Sequence, residues 1–302
     1  MAHRDSTASE ISLQLVDPAP VPDSRHSSVT VPSNQPPPPP ASSGWASVLG
    51  LTGSGHSSVY YLTRLQKYSS YVFTVYASIH FTNTSLIPLV TRSVPTSEQY
   101  LLLTRPIYQS FPLEPLLVTL PIATHVLAGF ALRIHRRNSN LARYGAAQVQ
   151  VSKQFGERLE VWPPVSWISR AGYTLTPLVV GHAFTNRLLP WIYEGGSSSV
   201  GLGFVSHGFA RHPVIAWIGY AGLLSVAAGH FVWGAAKWGG WLPRGNDKKA
   251  RIRWWTITAI SATVAGLWMA GGLGVVGRGG MADGWIRKGY DELYSKIPLL
   301  DL

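Results

Sequence analysis

Four histidines stand inside apolar runs of this chain, and their surroundings repeat. The first stretch reads Tyr71-x2-Thr74-x5-His80-x-Thr82-Asn83-x4-Pro88, and the second Tyr173-x2-Thr176-x5-His182-x2-Thr185-Asn186-x3-Pro190. Each is followed by another apolar run holding His-x3-Gly-x-Ala, at His125-x3-Gly129-Phe130-Ala131 and at His230-x3-Gly234-Ala235-Ala236. His80 and His182 are 102 residues apart, His125 and His230 105 apart. A polar side chain at membrane depth is costly and is usually kept for a purpose. One purpose is packing, since Thr and His bond across helices and small residues let backbones approach. The other is ligation, because paired imidazoles on facing helices of a four-helix bundle hold the iron of a b-type haem. In a parallel duplication equivalent residues share one depth. His80 is then expected to face His182, and His125 to face His230, each pair serving one haem. Gly129, Gly181, Gly229 and Gly234 would let a porphyrin lie against the backbone.

Other chemistry finds little support. The sequence has no HExxH, GxSxG, Walker loop or carboxylate pair, and its carboxylates, Glu114 and Asp291 among them, are scattered. No enzyme activity is expected from these residues. With no cysteine, thiol catalysis and disulfides are excluded. His135, His207 and His212 flank apolar runs and are expected to be wet, while His3, His26 and His56 lie in the tail.

The elements that must position the histidines are membrane helices. Of 302 residues 46% are hydrophobic and only 13% charged, about half the charge of a soluble domain. Twelve Trp and thirteen Tyr supply interfacial aromatics. Five spans are expected, at about 69–91, 108–133, 165–190, 213–237 and 254–277, each near the roughly twenty residues that cross a bilayer. The fold class is therefore all-α: two repeated helical hairpins form a four-helix bundle, and a fifth helix joins it. The expected parts are a Pro-rich tail at 1–58, a first hairpin at 59–160, a second at 161–250, and the fifth helix with an amphipathic C-terminal segment at 251–302.

The net charge of +11 is a matter of topology rather than of nucleic-acid binding. Arg133, Arg136, Arg137, Arg143, Lys153 and Arg158 follow span two. Lys237, Arg244, Lys248, Lys249, Arg251 and Arg253 follow span four. The positive-inside rule then puts the N-terminus in the cytosol and the C-terminus across the membrane. No secretory or matrix-targeting leader is recognised. The tail is expected to be disordered except for an apolar island, Leu13, Leu15 and Val16, running into Pro18-Ala19-Pro20-Val21-Pro22. Alternating apolar residues in a tail suit docking on a partner's sheet edge, and two P-x-P registers, Pro18/Pro20 and Pro20/Pro22, are open.

The bundle resembles the membrane-anchor cytochrome b of succinate dehydrogenase and fumarate reductase, although in those anchors the extra helix lies between the two halves. Over residues 60–277, on His80…Thr82-Asn83…Pro88, His125-x3-Gly129, His182…Thr185-Asn186…Pro190 and His230-x3-Gly234, the chain also resembles the MCP family of fungal mitochondrial outer-membrane adaptors. That resemblance implies that the tail recruits a bridge-like lipid-transfer protein of the vacuolar-protein-sorting-thirteen family through its P-x-P motif. It further implies a role in vacuole–mitochondrion contact and lipid homeostasis, with lipid scrambling as a companion activity. Thr82, Asn83, Thr185, Asn186 and Arg187 are candidates for a polar groove that takes headgroups, with helix packing as their other reading.

Overall fold

The computed structural model describes residues 57–155, 162–297 and Leu300, with only the backbone described over 143–155. These residues belong to one compact unit, 56–302. The tail motif at Leu13 to Pro22 lies outside the described residues. The described chain is helical and contains no strand.

Helix α1, Ser58–Phe81, passes through a π-turn at Thr82–Leu86 into α2, Ile87–Thr91. Helix α3, Val94–Gln109, precedes a second π-turn, Pro115–Thr119, which leads into α4, Leu120–Phe155. The second half follows the same scheme. Helix α5, Trp167–Ala183, passes through a π-turn at Phe184–Leu188 into α6, Leu189–Glu194, and α7, Leu202–Arg211, precedes α8, Pro213–Trp238. Helix α9, Lys248–Gly272, and the short α10, Gly284–Tyr294, complete the fold.

The five expected spans are helical over most of their length. Pro115–Ala142, Pro213–Trp238 and Lys248–Arg278 are long and apolar enough to cross a membrane, so this is a multi-pass membrane protein. The expected second span is corrected: α3 ends at Gln109 and the chain breaks at 110–112, so the spanning helix starts after that break rather than near 108. The segments between paired spans are not simple loops. They hold α3 and α7, whose buried Leu101 and Leu202 join Val276, just past the end of α9, in one cluster. Their short lengths and mixed polarity hid them in a search for twenty-residue apolar runs.

The π-turns follow from local chemistry. Pro88 and Pro190 each stand two residues past a π-turn. A proline offers no N–H, so the carbonyl four residues earlier loses its helical partner, and a π-bulge accommodates the mismatch. In the first half Thr82 and Thr84 hydroxyls bond back to Ser78 O (2.9 Å) and His80 O (2.7 Å).

Neighbouring spans are antiparallel. His125 on α4 reaches Gln66 early in α1, while Thr104 on α3 meets Asn83 at its far end. His230 on α8 reaches Ile168 early in α5, while Tyr220 meets Asn186. Helix α9 crosses the first π-turn closely. The buried Ser85 hydroxyl donates to Leu267 O (2.7 Å) and Trp268 O (3.1 Å), and Gly271 lies directly on the Ser85 backbone. This topology gathers the starts of α1, α5 and α9 with the end of α8 and the arginines of α4 at one basic end.

The C-terminal segment forms the short helix α10, which packs on protein. Tyr294 stacks on Phe204 of α7 (4.5 Å between ring centres) and donates to Phe204 O (3.1 Å). Leu293 and Ile297 bury beside Leu189 and Val200.

Candidate functional site

The four repeat histidines meet in two pairs inside the bundle. The His80 and His182 rings are 5.9 Å apart between centres, and the His125 and His230 rings 6.1 Å, each pair nearly edge to face at 72° and 88°. The His125 pair sits near the level of Gln66, fourteen residues before His80 on α1. At 1.5 Å per residue the two pairs lie about 20 Å apart along the bundle, within a hydrocarbon core of about 30 Å.

The pairs differ in their hydrogen bonds. His125 Nδ1 is 3.0 Å from Gln66 O and His230 Nδ1 is 3.1 Å from Ile168 O. A carbonyl only accepts, so Nδ1 carries the proton in both rings and Nε2 keeps a free lone pair. Donation from one ring nitrogen to a carbonyl is how a ligating histidine is held in its tautomer. The acceptors stand in equivalent places, since Ile168 precedes His182 by the same fourteen residues that separate Gln66 from His80. The His80 pair has other company. Tyr76 stacks on His80 (5.5 Å), and Tyr220 meets His182 edge-on (5.6 Å). Asn186 Nδ2 donates to His182 O (2.9 Å) and approaches His182 Nδ1 at 3.4 Å.

The residues present fit a haem between His125 and His230 better than one between His80 and His182. Two metal–imidazole bonds of about 2 Å each, with about 1 Å from each nitrogen to its ring centre, separate ring centres by roughly 6 Å. Gly234 lies one turn from His230 on the same helical face, and a Cβ on it would meet nothing within 4 Å. Gly172 makes room for the His230 ring itself, since a Cβ there would lie 2.9 Å from His230 Cε1. Of the other glycines expected to serve a porphyrin, Gly129 faces Gln66, and Gly181 and Gly229 have open space beside them. Among the described residues no group of three His, Cys or carboxylate side chains could hold a bare metal ion.

The polar-groove candidates do not form one groove. Thr82 and Asn83 line an open groove of about 440 Å³ with Ser78, Tyr100 and Thr104, where Asn83 Nδ2 donates to Thr104 Oγ1 (2.8 Å). Asn186 turns to His182 and Tyr220. Arg187 donates through Nε to Glu114 Oε1 (2.6 Å) and through Nη1 to Ser197 Oγ (2.7 Å). Neither residue, nor Thr185, lines the first groove.

That ion pair ties the second π-turn to the third, and sequence reasoning missed it. The available signal was an Arg and a Glu of opposite sign, each in an apolar run next to a proline repeat.

Residues 177–281 match the model of the MDM10-complementing protein 1 transmembrane domain. The matched range starts inside α5 and ends past α9, so it includes His182 and His230, one member of each pair, with the π-turn between them. Searches of curated proteins and of solved structures gave no significant match.

His207 overturns the expectation of a wet histidine. It is fully buried, and its Nδ1 accepts from Ala282 N–H (3.3 Å). Nε2 must then carry the proton that it donates to Asp291 Oδ1 (3.0 Å). Arg211 and Arg287 flank the same carboxylate at 3.6 and 3.5 Å. Desolvation works against the charge, but the His207 bond and the two guanidinia outweigh it and hold Asp291 below the usual carboxylate range. The cluster pins α10 to α7. Apolar-run counting placed His207 at a span end because α7 was not recognised as a buried helix.

Proposed function

We propose that this protein is a mitochondrial outer-membrane adaptor of the MDM10-complementing kind. Its helical bundle is the anchor. Its tail recruits a bridge-like lipid-transfer protein of the vacuolar-protein-sorting-thirteen family, in support of vacuole–mitochondrion contact and lipid homeostasis. The observation that carries this reading is the match over residues 177–281, joined to the P-x-P registers in the tail. Lipid scrambling as a companion activity rests on the resemblance alone: the groove at Thr82 is lined mainly by apolar side chains, Ile79, Ile87 and Leu103 among them, and Asn83 is buried against Thr104. Changing Pro18 and Pro20 to Ala in the full chain is expected to abolish co-purification of the transfer protein and leave the bundle's thermal unfolding unchanged. If recruitment also survives in a variant that replaces Pro20 and Pro22, the docking role is refuted.

The histidine geometry favours a second reading that is compatible with the first: the bundle is a haem-b protein. His125 and His230 would hold the iron through Nε2, fixed by the carbonyls of Gln66 and Ile168, and His80 with His182 would be the second pair. A bound haem would supply one-electron redox chemistry. The chain's part is to fix the tautomers, set the ring spacing and keep water from the core.

A further inference from the structure

Helix α4 leaves the apolar core at Leu132 and continues into three arginines. Arg133 and Arg137 are four residues apart, so they share one face of the helix. Both lie over the same indole, with guanidinium carbons 5.4 and 4.9 Å from the centre of the Trp162 ring. Like charges at this spacing repel, and among the described residues no carboxylate pairs with either of them. Arg137 is further marked. Its Nε is the one buried side-chain nitrogen or oxygen among the described residues that has no hydrogen-bond partner. Its other bond, Nη1 to the adjacent Asn138 Oδ1, is long at 3.4 Å. Buried donors are normally satisfied, so two cations converging on one ring with an orphaned N–H describe half of an interaction.

The missing half is an anion. Stacking on Trp162 occupies the guanidinium faces and leaves the edges, where the fork of N–H donors suits phosphate oxygens. Trp162 is itself about half exposed, at 46%, and Arg133 and Arg137 are both partly exposed, so a ligand can reach the pair from outside although Arg137 Nε is itself buried. The position is where a membrane helix meets the headgroup layer, where Trp and basic residues gather and basic pockets take anionic headgroups.

We propose that Arg133, Arg137 and Trp162 form a binding site for the phosphate of a phospholipid headgroup at the basic end of the bundle. The site depends on neither the adaptor reading nor the haem reading.

The test is binding of dihexanoyl phosphatidylglycerol, below its micellar concentration, to the full-length detergent-purified protein, with inorganic phosphate titrated separately. Saturable lipid binding is expected. R133Q/R137Q should weaken it roughly tenfold or more, as for charge-assisted bonds lost, and R133K/R137K should fall between because charge remains and the fork is gone. R251Q/R253Q, at the same end on α9, should bind as the wild type does. W162A keeps both charges and should still weaken binding. If the double variant does not fold, R137Q alone decides. Lipid affinity unchanged in R137Q, or equally reduced by R251Q/R253Q, overturns the site. Inorganic phosphate binding as tightly as the lipid overturns the headgroup assignment.

Discussion

Substituting Gly271 by Ala tests the packing that holds α9 to the histidine bundle. The methyl group would fall onto the carbonyl group and Cα of Ser85, with the carbonyl carbon 2.5 Å and Cα 2.7 Å away. These are backbone atoms of a fully buried residue, so they cannot swing aside as a side-chain tip would. Overpacking of this kind costs about 1–3 kcal/mol. Pushing the helices apart also endangers the Ser85 bonds to Leu267 O and Trp268 O, worth about 0.6 kcal/mol each in a membrane bundle. The total is about 2–4 kcal/mol. At roughly 2–4 °C per kcal/mol for a chain of this size, the midpoint should fall by about 4–16 °C. The assay is the Trp-fluorescence melting curve of the detergent-solubilised protein. Gly266→Ala is the matched control on the same helix, since a Cβ there meets nothing within 4 Å. It should leave the midpoint unchanged or slightly higher, given alanine's better helix propensity. Equal midpoints for the two variants would refute the close approach of α9 to the first π-turn.

Glu114→Ala should destabilise by about 1–3 kcal/mol, because Arg187 loses both carboxylate bonds and keeps only Ser197; the range lies below the buried-pair figure since both side chains are partly exposed. Glu114→Gln should recover part of the loss, and the same melting assay reads both. Asp291→Ala should raise hydrogen exchange throughout 284–294 while leaving α8 protected. The lowered pKa of Asp291 fixes the sign of the pH effect. Its contribution is full above the ordinary carboxylate value of about 3.9 and disappears as pH falls through the lower folded value. Intrinsic-rate-corrected protection of α10 should therefore be flat from about pH 7 to 5 and drop only below about pH 4.

The histidine pairing was legible in the sequence because a repeat carries depth information. His80 with His182 and His125 with His230 share levels, and the folded chain brings those rings together. The difference between the pairs was not legible. It depends on which backbone carbonyl lies beside each Nδ1, and that is set by helix rotation rather than residue type. The membrane helices announced themselves as long apolar runs, whereas α3 and α7 did not. Their burial comes from neighbours distant in sequence, Leu101 against Leu202 and Val276 for example. Buried His207 was lost with α7. The polar-groove set failed for a similar reason. Thr82-Asn83 and Thr185-Asn186 are shifted by one residue relative to their histidines, and Asn83 faces α3 whereas Asn186 faces Tyr220.

The most direct test of the bundle core as a cofactor site is the absorbance of the full-length protein, purified in detergent, oxidised and then dithionite-reduced. A Soret band with sharp reduced α and β bands is expected. It should be lost or halved in His125→Ala and His230→Ala, and the bundle should still fold. A spectrum holding only Trp and Tyr absorbance, even after expression with added haem, would contradict the ligand assignment and leave the paired histidines as packing residues.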